Sequence, residues 1–211
     1  MSDRKGLLVV ISGFSGAGKG TLMKELLKKY DNYALSISAT TRQPREGEMH
    51  GREYFFMSKE EFEQLIKEEK LIEYASYVGN YYGTPSSFVE EQRDAGKDVI
   101  LEIEVQGALQ VKEKFPDTVL LFVTPPSAAE LVSRLRGRGT ETEEVISKRM
   151  EQAVTESALM NKYDYLVIND SLQEAVETMH NILQMEHDKM SRNEEFITDI
   201  QNDLKGLGGI K

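Results

Sequence analysis

Residues 13–21 read Gly-Phe-Ser-Gly-Ala-Gly-Lys-Gly-Thr, directly after the apolar run Leu7-Leu8-Val9-Val10-Ile11. Glycines at 13, 16 and 18 let the backbone curl so that its N–H groups point inward, and a helix starting behind them adds the positive end of its dipole. Lys19 supplies a mobile positive charge at the same place. Gly13, Phe14, Ser15, Gly16, Ala17, Gly18, Lys19, Gly20 and Thr21 therefore predict a cradle for nucleotide phosphates. The general pattern puts a hydroxyl next to the lysine to meet Mg2+, but here Gly20 stands there and Thr21 follows. The expectation is a Mg2+ ion held mainly by phosphate oxygens and water, with no firm protein ligand and with Thr21 and Glu102 as outer contacts. A ligand-free turn would explain the glycines, but not the coincidence of strand, loop, lysine and helix.

Four further groups of residues could carry chemistry. In Ser36-Ile-Ser-Ala-Thr-Thr-Arg-Gln-Pro-Arg-Glu-Gly-Glu48, Arg42 and Arg45 flank Pro44 beside the hydroxyls of Ser36, Ser38, Thr40 and Thr41. Two guanidinium forks on a rigid turn suit a phosphate dianion, with Tyr54 and the Tyr81-Tyr82 pair as added donors or stacking surfaces; solvated loop arginines are the plainer reading. Glu73 and Thr84 bracket a glycine turn. A buried carboxylate there would match the two N–H donors on the edge of guanine, whereas taken alone Glu73 reads as an ordinary surface acid. Glu102 and Glu104 are two apart on an expected strand and so share one face at its carboxyl end, where open α/β sheets keep their ligand crevice. Lastly, Arg134, Arg136, Arg138 and Arg149 crowd one segment. Arginines brought in by closure stabilise the charge of a moving phosphoryl group, although arginines on an amphipathic helix are often only solvated.

Elements must position these groups. Short apolar runs at Leu7–Ser12, Leu35–Ala39, Val99–Ile103, Val119–Val123 and Tyr165–Ile168 suit strands of a parallel sheet buried on both faces. Helices are expected at Lys19–Tyr30, Lys59–Lys67, Ser86–Ala95, Gln106–Lys114, Ala128–Arg136, Glu143–Met160 and Leu172–Met190, with Thr140-Glu141-Thr142-Glu143 capping the sixth. Arg42–Thr84 departs from this rhythm: Glu53–Met57 and Ile72–Val78 look like antiparallel strands around one short helix, an inserted lobe. Pro125–Ala153 reads as a helical hairpin able to cover the site. The tail Ser191–Lys211 reads as a fraying helix followed by disorder.

The chain has 211 residues, enough for one well-buried core with smaller lobes. Its formal charge of −10 argues against a nucleic-acid partner, and with no cysteine there is neither a disulfide framework nor a thiolate nucleophile. Met1–Lys5 lacks the apolar stretch of a secretory signal and no apolar run is of membrane-spanning length, so the expectation is a cytoplasmic protein with no membrane partner.

Taken together, the phosphate loop, Ser36–Glu48, Tyr54, Ile72–Pro85, Glu102–Ala108, Pro125–Met150 and Val167–Asp170 follow the order and spacing of guanylate kinases, and the chain resembles that family from about Leu7 to Met185. The resemblance implies a P-loop, three-layer α/β/α fold with a central parallel sheet (1–35, 86–125 and 154–190), an inserted GMP-binding lobe (36–85), a helical lid (126–153) and a tail (191–211). It implies transfer of the γ-phosphoryl group of ATP·Mg2+ to GMP. The loop residues with Asn169 and Asp170 would bind ATP. Ser38, Glu73, Thr84 and Glu104 would read guanine, and Arg42, Arg45, Tyr54 and Tyr82 would hold the GMP phosphate. Lys19, Arg42, Arg134, Arg138 and Arg149 would be catalytic; Arg136 inherits no role. Glu104 departs from the aspartate many members carry, which puts its direct contact with guanine in doubt.

Two rivals share parts of the pattern. Asn161-Lys-Tyr-Asp164 satisfies the guanine-reading motif of GTPases, but it precedes a strand instead of following one, and the switch pattern Asp-x-x-Gly occurs out of order at Asp3–Gly6 and Asp203–Gly206. A guanylate-kinase-like scaffold module commonly has a degraded ATP loop, whereas Lys19 and its neighbours are intact. Another nucleoside-monophosphate kinase would not explain Glu73 and Ser38 together. Met179, Ile182, Leu183, Met185 and Met190, at near-helical spacing, fit core packing or a homodimer contact.

Overall fold

The computed structural model describes residues 4–77, 79–137 and 142–207. Its elements run β1 (Leu8–Gly13), α1 (Lys19–Lys29), β2 (Tyr33–Leu35), β3 (Ala39–Thr40), β4 (Phe55–Phe56), α2 (Lys59–Lys67), β5 (Leu71–Tyr77), β6 (Asn80–Pro85), α3 (Ser86–Asp94), β7 (Asp98–Glu102), α4 (Val105–Lys114), β8 (Val119–Thr124), α5 (Ala128–Gly137), α6 (Glu143–Ser157), β9 (Tyr165–Ile168), α7 (Leu172–His187) and α8 (Glu194–Leu207). Short 3₁₀ turns follow α6 at Met160–Lys162 and α7 at Met190–Arg192.

Five strands form a parallel sheet in the order β2-β7-β1-β8-β9. All six residues of β1 are buried, because side chains alternate across a strand and both faces of this sheet are covered. Val9 and Ile11 enter the core shared with α1, α5, α6 and α7, whereas Leu8 and Val10 enter the core shared with α3 and α4. The base of the sheet is pinned by Asp98, whose Oδ1 accepts from Leu7 N and lies 2.8 Å from His187 Nε2, both side chains being buried.

Four strands form a second sheet in the order β4-β3-β6-β5. Its own core is small: Ala39, Phe62 and Leu71 are buried, with Phe55, Met57, Leu65, Ile66 and Tyr81 packed around them. Phe62 comes from α2, which starts with a full capping box between Ser58 and Glu61. The chain leaves the parallel sheet at Leu35, the carboxyl end of β2, and re-enters order at Ala39 in the second sheet.

That exit corrects the expected strand Leu35–Ala39, which is two strands in two sheets; Ser36 N still bonds Ile100 O, and Ser36–Ser38 then carry the chain across. A continuous apolar-polar run cannot signal the switch. The expected antiparallel strand Glu53–Met57 is also corrected: β4 spans Phe55–Phe56 and runs parallel to β3, with Ala39 opposite Phe55. The loop carrying the Arg42 turn provides the crossover that parallel pairing requires. The Leu172–Met190 helix ends at His187, and Glu143–Met160 ends at Ser157, so α6 continues through the expected lid boundary at 153. The tail contains a regular fourteen-residue helix, α8, with no buried residue; its final residues 208–211 lie outside the described range, as do Asp3, Val78, Thr140 and Glu141.

Candidate functional site

The phosphate loop occupies the bend between β1 and α1. Gly13 has φ +151°, and a Cβ there would lie 2.1 Å from Val123 O, so only glycine lets β1 end this close to β8. Gly18 precedes α1 in the left-handed region at φ +91°, and a Cβ there would meet Asn169 Nδ2 at 2.5 Å. Asn169 is buried, donates from Nδ2 to Ala17 O at 2.8 Å and accepts at its own carbonyl from Arg134 Nη2 at 2.9 Å. Phe14 is buried edge-on to Phe122. Lys19 Nζ donates to the carbonyls of Gly13 (2.6 Å) and Phe14 (3.3 Å), which holds the charge over the loop.

Ser15, Gly16, Gly18, Lys19, Gly20 and Thr21 line a cleft of about 640 Å³ together with Leu35 and Glu102. Residues of the glycine loop thus share one cavity with the carboxyl end of β7 and with the point where the chain leaves for the second sheet. Glu102 is the last residue of β7. Glu104 is not on that strand: it is exposed and stands as the N-cap of α4, correcting the expectation that the two acids alternate on one strand face. Partial burial pushes the Glu102 carboxyl above the usual carboxylate range; Lys19 draws it back and Glu104 raises it further. Among the described residues no group of three His, Cys, Asp or Glu could hold a metal.

Arg149 of α6 donates to Ser15 Oγ of the loop. Arg134 of α5 is engaged by Glu130 Oε1 at 2.7 Å as well as by Asn169 O. Arg136 pairs with Glu143 at the surface. Arg138 lies outside the described residues, and Asp170 is exposed. The sequence reading missed Glu156, two turns along α6 from Arg149. It is 7% exposed, accepts from Gln152 Nε2 at 3.0 Å, and interacts electrostatically with Glu104 and Lys19. Only the i, i+7 spacing from Arg149 would have pointed to it.

On the second sheet, β5 carries a bulge. Leu71 pairs with Pro85 and Tyr74 with Gly83, so three steps on β5 oppose two on β6. The extra residue re-aims the strand and brings Glu73 against the fully buried Thr84, whose hydroxyl donates to Glu73 Oε1 at 2.8 Å. Burial pushes the Glu73 carboxyl up from its ordinary range, the Thr84 bond opposing the shift. Ser38, half-buried, accepts at its carbonyl from Phe55 N. The Arg42 guanidinium lies over the Tyr54 ring at 5.4 Å and the Phe56 ring at 5.8 Å, and Tyr54 meets Tyr82 edge-on at 6.1 Å. Arg45 is exposed at the far side of the turn. The structure therefore assembles Arg42, Tyr54 and Tyr82 into one aromatic-backed cluster, and Glu73 with Thr84 into a second.

Asn161–Asp164 has a structural job, against any base-reading use. Asp164 accepts from Leu120 N at 2.9 Å and from Lys112 Nζ at 3.0 Å, tying β8 to α4.

The guanylate kinase family model matches residues 5–186. A guanylate kinase from Halalkalibacterium halodurans is 56% identical over 192 residues, covering 91% of this chain and 94% of that protein. One from Bacillus anthracis is 51% identical over 205 residues, covering 97% of this chain and all of its own length. Among solved structures, the guanylate kinase from Anaplasma phagocytophilum superposes with a TM-score of 0.69 at 32% identity, covering 90% of each chain. With a glycine loop on a parallel sheet, a second sheet that sets Arg42 among aromatic rings and Glu73 against Thr84, and a family match across residues 5–186, this chain belongs to the guanylate kinase family.

Proposed function

We propose that this chain transfers the γ-phosphoryl group of ATP to the phosphate of GMP, giving ADP and GDP. The observation that carries the base assignment is the Glu73–Thr84 pair: an enclosed carboxylate, bulged out of β5 and fixed at 2.8 Å by a buried hydroxyl. Its free oxygen lone pairs can accept the two N–H donors of guanine. A base offering an acceptor at either position would leave a buried group unsatisfied, which discriminates by about 10⁴ to 10⁵ where such a site is enclosed. Ser38 and Glu104 would be further base contacts, as the resemblance to the family implies, Glu104 from the N-cap position of α4. Arg42, Arg45, Tyr54 and Tyr82 hold the acceptor phosphate.

The donor triphosphate lies in the loop from Gly13 to Thr21, with Lys19 leaving the Gly13 and Phe14 carbonyls to meet phosphate oxygens. Asn169 and Asp170 would approach adenine, as the resemblance to the family implies. Thr21 and Glu102 on the cleft lining would hold Mg2+ through the waters it keeps, and the ion would neutralise charge on the donor phosphates. No general base is required, because a GMP phosphate oxygen is already nucleophilic at neutral pH. The protein's work is positioning and charge: Lys19 on the donor, Arg42 on the acceptor, and Arg134, Arg138 and Arg149 on the moving group as residues 126–153 close over it. Closure also keeps water from the donor.

The test is ADP formation from ATP·Mg2+ with GMP, AMP, CMP, UMP and dTMP offered separately. Turnover with GMP alone is expected; turnover with another monophosphate would discard the guanine assignment, and GMP binding without turnover would favour a binding module. The protein is expected in the cytoplasm; no helix among the described residues is long and apolar enough to cross a membrane.

A further inference from the structure

Glu48 stands three residues beyond Arg45 and six beyond Arg42, and both of its carboxylate oxygens are engaged. Oε1 accepts from Arg42 Nη2 at 2.9 Å and Oε2 accepts from the backbone N–H of Arg45 at 2.7 Å. The backbone closes the same turn from the other side, Glu48 N donating to Arg45 O at 3.1 Å. The Arg42 and Glu48 side chains are 16% and 18% exposed, so this is not a fully solvated surface pair. Arg42 is then held from several sides: its plane by the Tyr54 and Phe56 rings, Nη1 by Gln43 O at 2.7 Å, and Nη2 by Glu48, with Tyr82 beside it. A guanidinium has five N–H donors, and these contacts leave part of the fork available.

We propose that Glu48 is a positioning residue for the acceptor phosphate: it clamps the 42–48 turn so that the Arg42 fork is already oriented when the phosphate dianion arrives. This rests on the reading of Arg42 as part of the acceptor-phosphate seat. An unclamped arginine would have to freeze its rotamers at the moment of binding, a cost that preorganisation removes. The clamp's carboxylate also sits where it must repel the dianion, so its two effects have opposite signs. The geometry favours support, because one carboxylate spans a side chain and a backbone N–H, and an anion merely occupying the seat has no need of the second.

The experiment compares Glu48→Gln, Arg42→Ala and the parent protein by steady-state kinetics and by calorimetric binding of GMP and of guanosine. Glu48→Gln is expected to raise the KM for GMP about 10- to 100-fold, the factor attached to a hydrogen bond to a charged group. The KM for ATP and the affinity for guanosine should stay within about twofold, which a merely misfolded lobe would not allow. Arg42→Ala should weaken GMP at least as much. If Arg42→Ala weakens GMP and Glu48→Gln does not, the seat stands and the clamp is wrong. A lower KM for GMP in Glu48→Gln would make Glu48 a competitor of the phosphate, also overturning the proposal. If Arg42→Ala leaves GMP binding unchanged, the seat itself is misassigned and the clamp falls with it.

Discussion

The two candidate phosphate seats are built from different materials. On the proposed donor side the groups offered to phosphate are mostly backbone N–H, held by a strand with all six residues buried and by a loop in which Gly13 meets the Val123 backbone and Gly18 the Asn169 side chain too closely for a Cβ. On the acceptor side they are side chains, Arg42, Tyr54 and Tyr82, mounted on a four-stranded sheet with only three fully buried core residues in its own cluster. A backbone seat can be rigid because the sheet already fixes its geometry. A side-chain seat on a thin core needs local clamps and can move as a body, which a two-substrate enzyme that must shut out water can exploit.

The largest expected effect is Lys19→Ala, with a loss of about 10³-fold in kcat, the scale of removing one preorganised donor from a developing charge. Its melting temperature should change little, since the Lys19 bonds to the Gly13 and Phe14 carbonyls lie within the loop and not in the core. Initial rates and a thermal melt on the same sample check both halves; a loss under about tenfold would place the donor charge elsewhere. Next comes Phe62→Ala. Phe62 is fully buried and stacks on Tyr81 at 5.2 Å, and truncating a buried Phe costs about 3–5 kcal/mol. If the second sheet is as separate energetically as its core suggests, hydrogen exchange should accelerate in β3–β6 while β1, β7 and β8 stay protected. Loss of protection throughout would mean the two sheets unfold as one. A third, smaller effect is Arg149→Ala, whose guanidinium reaches Ser15. A fall of about 10²-fold in kcat with little change in the KM for GMP is expected if α6 serves the donor side.

The same contrast governs what could be read from the residues alone. The donor loop was legible because a backbone cradle needs glycines at fixed offsets between a strand and a helix, all within nine residues. The parallel sheet was legible for a related reason: strands buried on both faces read as continuous apolar runs. What failed depends on contacts distant in sequence. Leu35–Ala39 looks like one strand, and only the pairing of Leu35 with Ile100 and of Ala39 with Gly83 divides it between sheets. Glu104 keeps strand-like spacing from Glu102, yet β7 ends at Glu102 and α4 begins at Val105. Glu73 reads as a surface acid until the bulge opposite Pro85 and Gly83 turns it against Thr84. Glu48 closes the Ser36–Glu48 segment with no role assigned to it and Glu156 lies in no motif; their partners, Arg42, Gln152 and the Lys19 charge, meet them only once turn and helix have formed.

The smallest expected effect, and the one that separates the seats most cleanly, is the pH dependence of stability at Glu73. Burial raises its carboxyl in the folded protein above the ordinary value of 4.5, so between the unfolded and folded pKa values the native state binds more protons. Stability then falls as pH rises through the window above 4.5, because the ionised carboxylate is enclosed with one hydroxyl as its partner. Glu102 and Glu156 are shifted the same way, chiefly by burial, so the whole-protein curve mixes all three. The difference between Glu73→Gln and the parent removes the shared terms. Urea midpoints without nucleotide should show Glu73→Gln gaining on the parent as pH rises above 4.5 through the raised folded-state pKa. With GMP added the order should reverse at neutral pH, since the variant has lost the acceptor pair for guanine and its linkage stabilisation shrinks with the weakened affinity. A flat difference curve without nucleotide would mean Glu73 is solvated and the acceptor lobe is open at its base site; a gain that survives saturating GMP would mean that guanine is read by other residues.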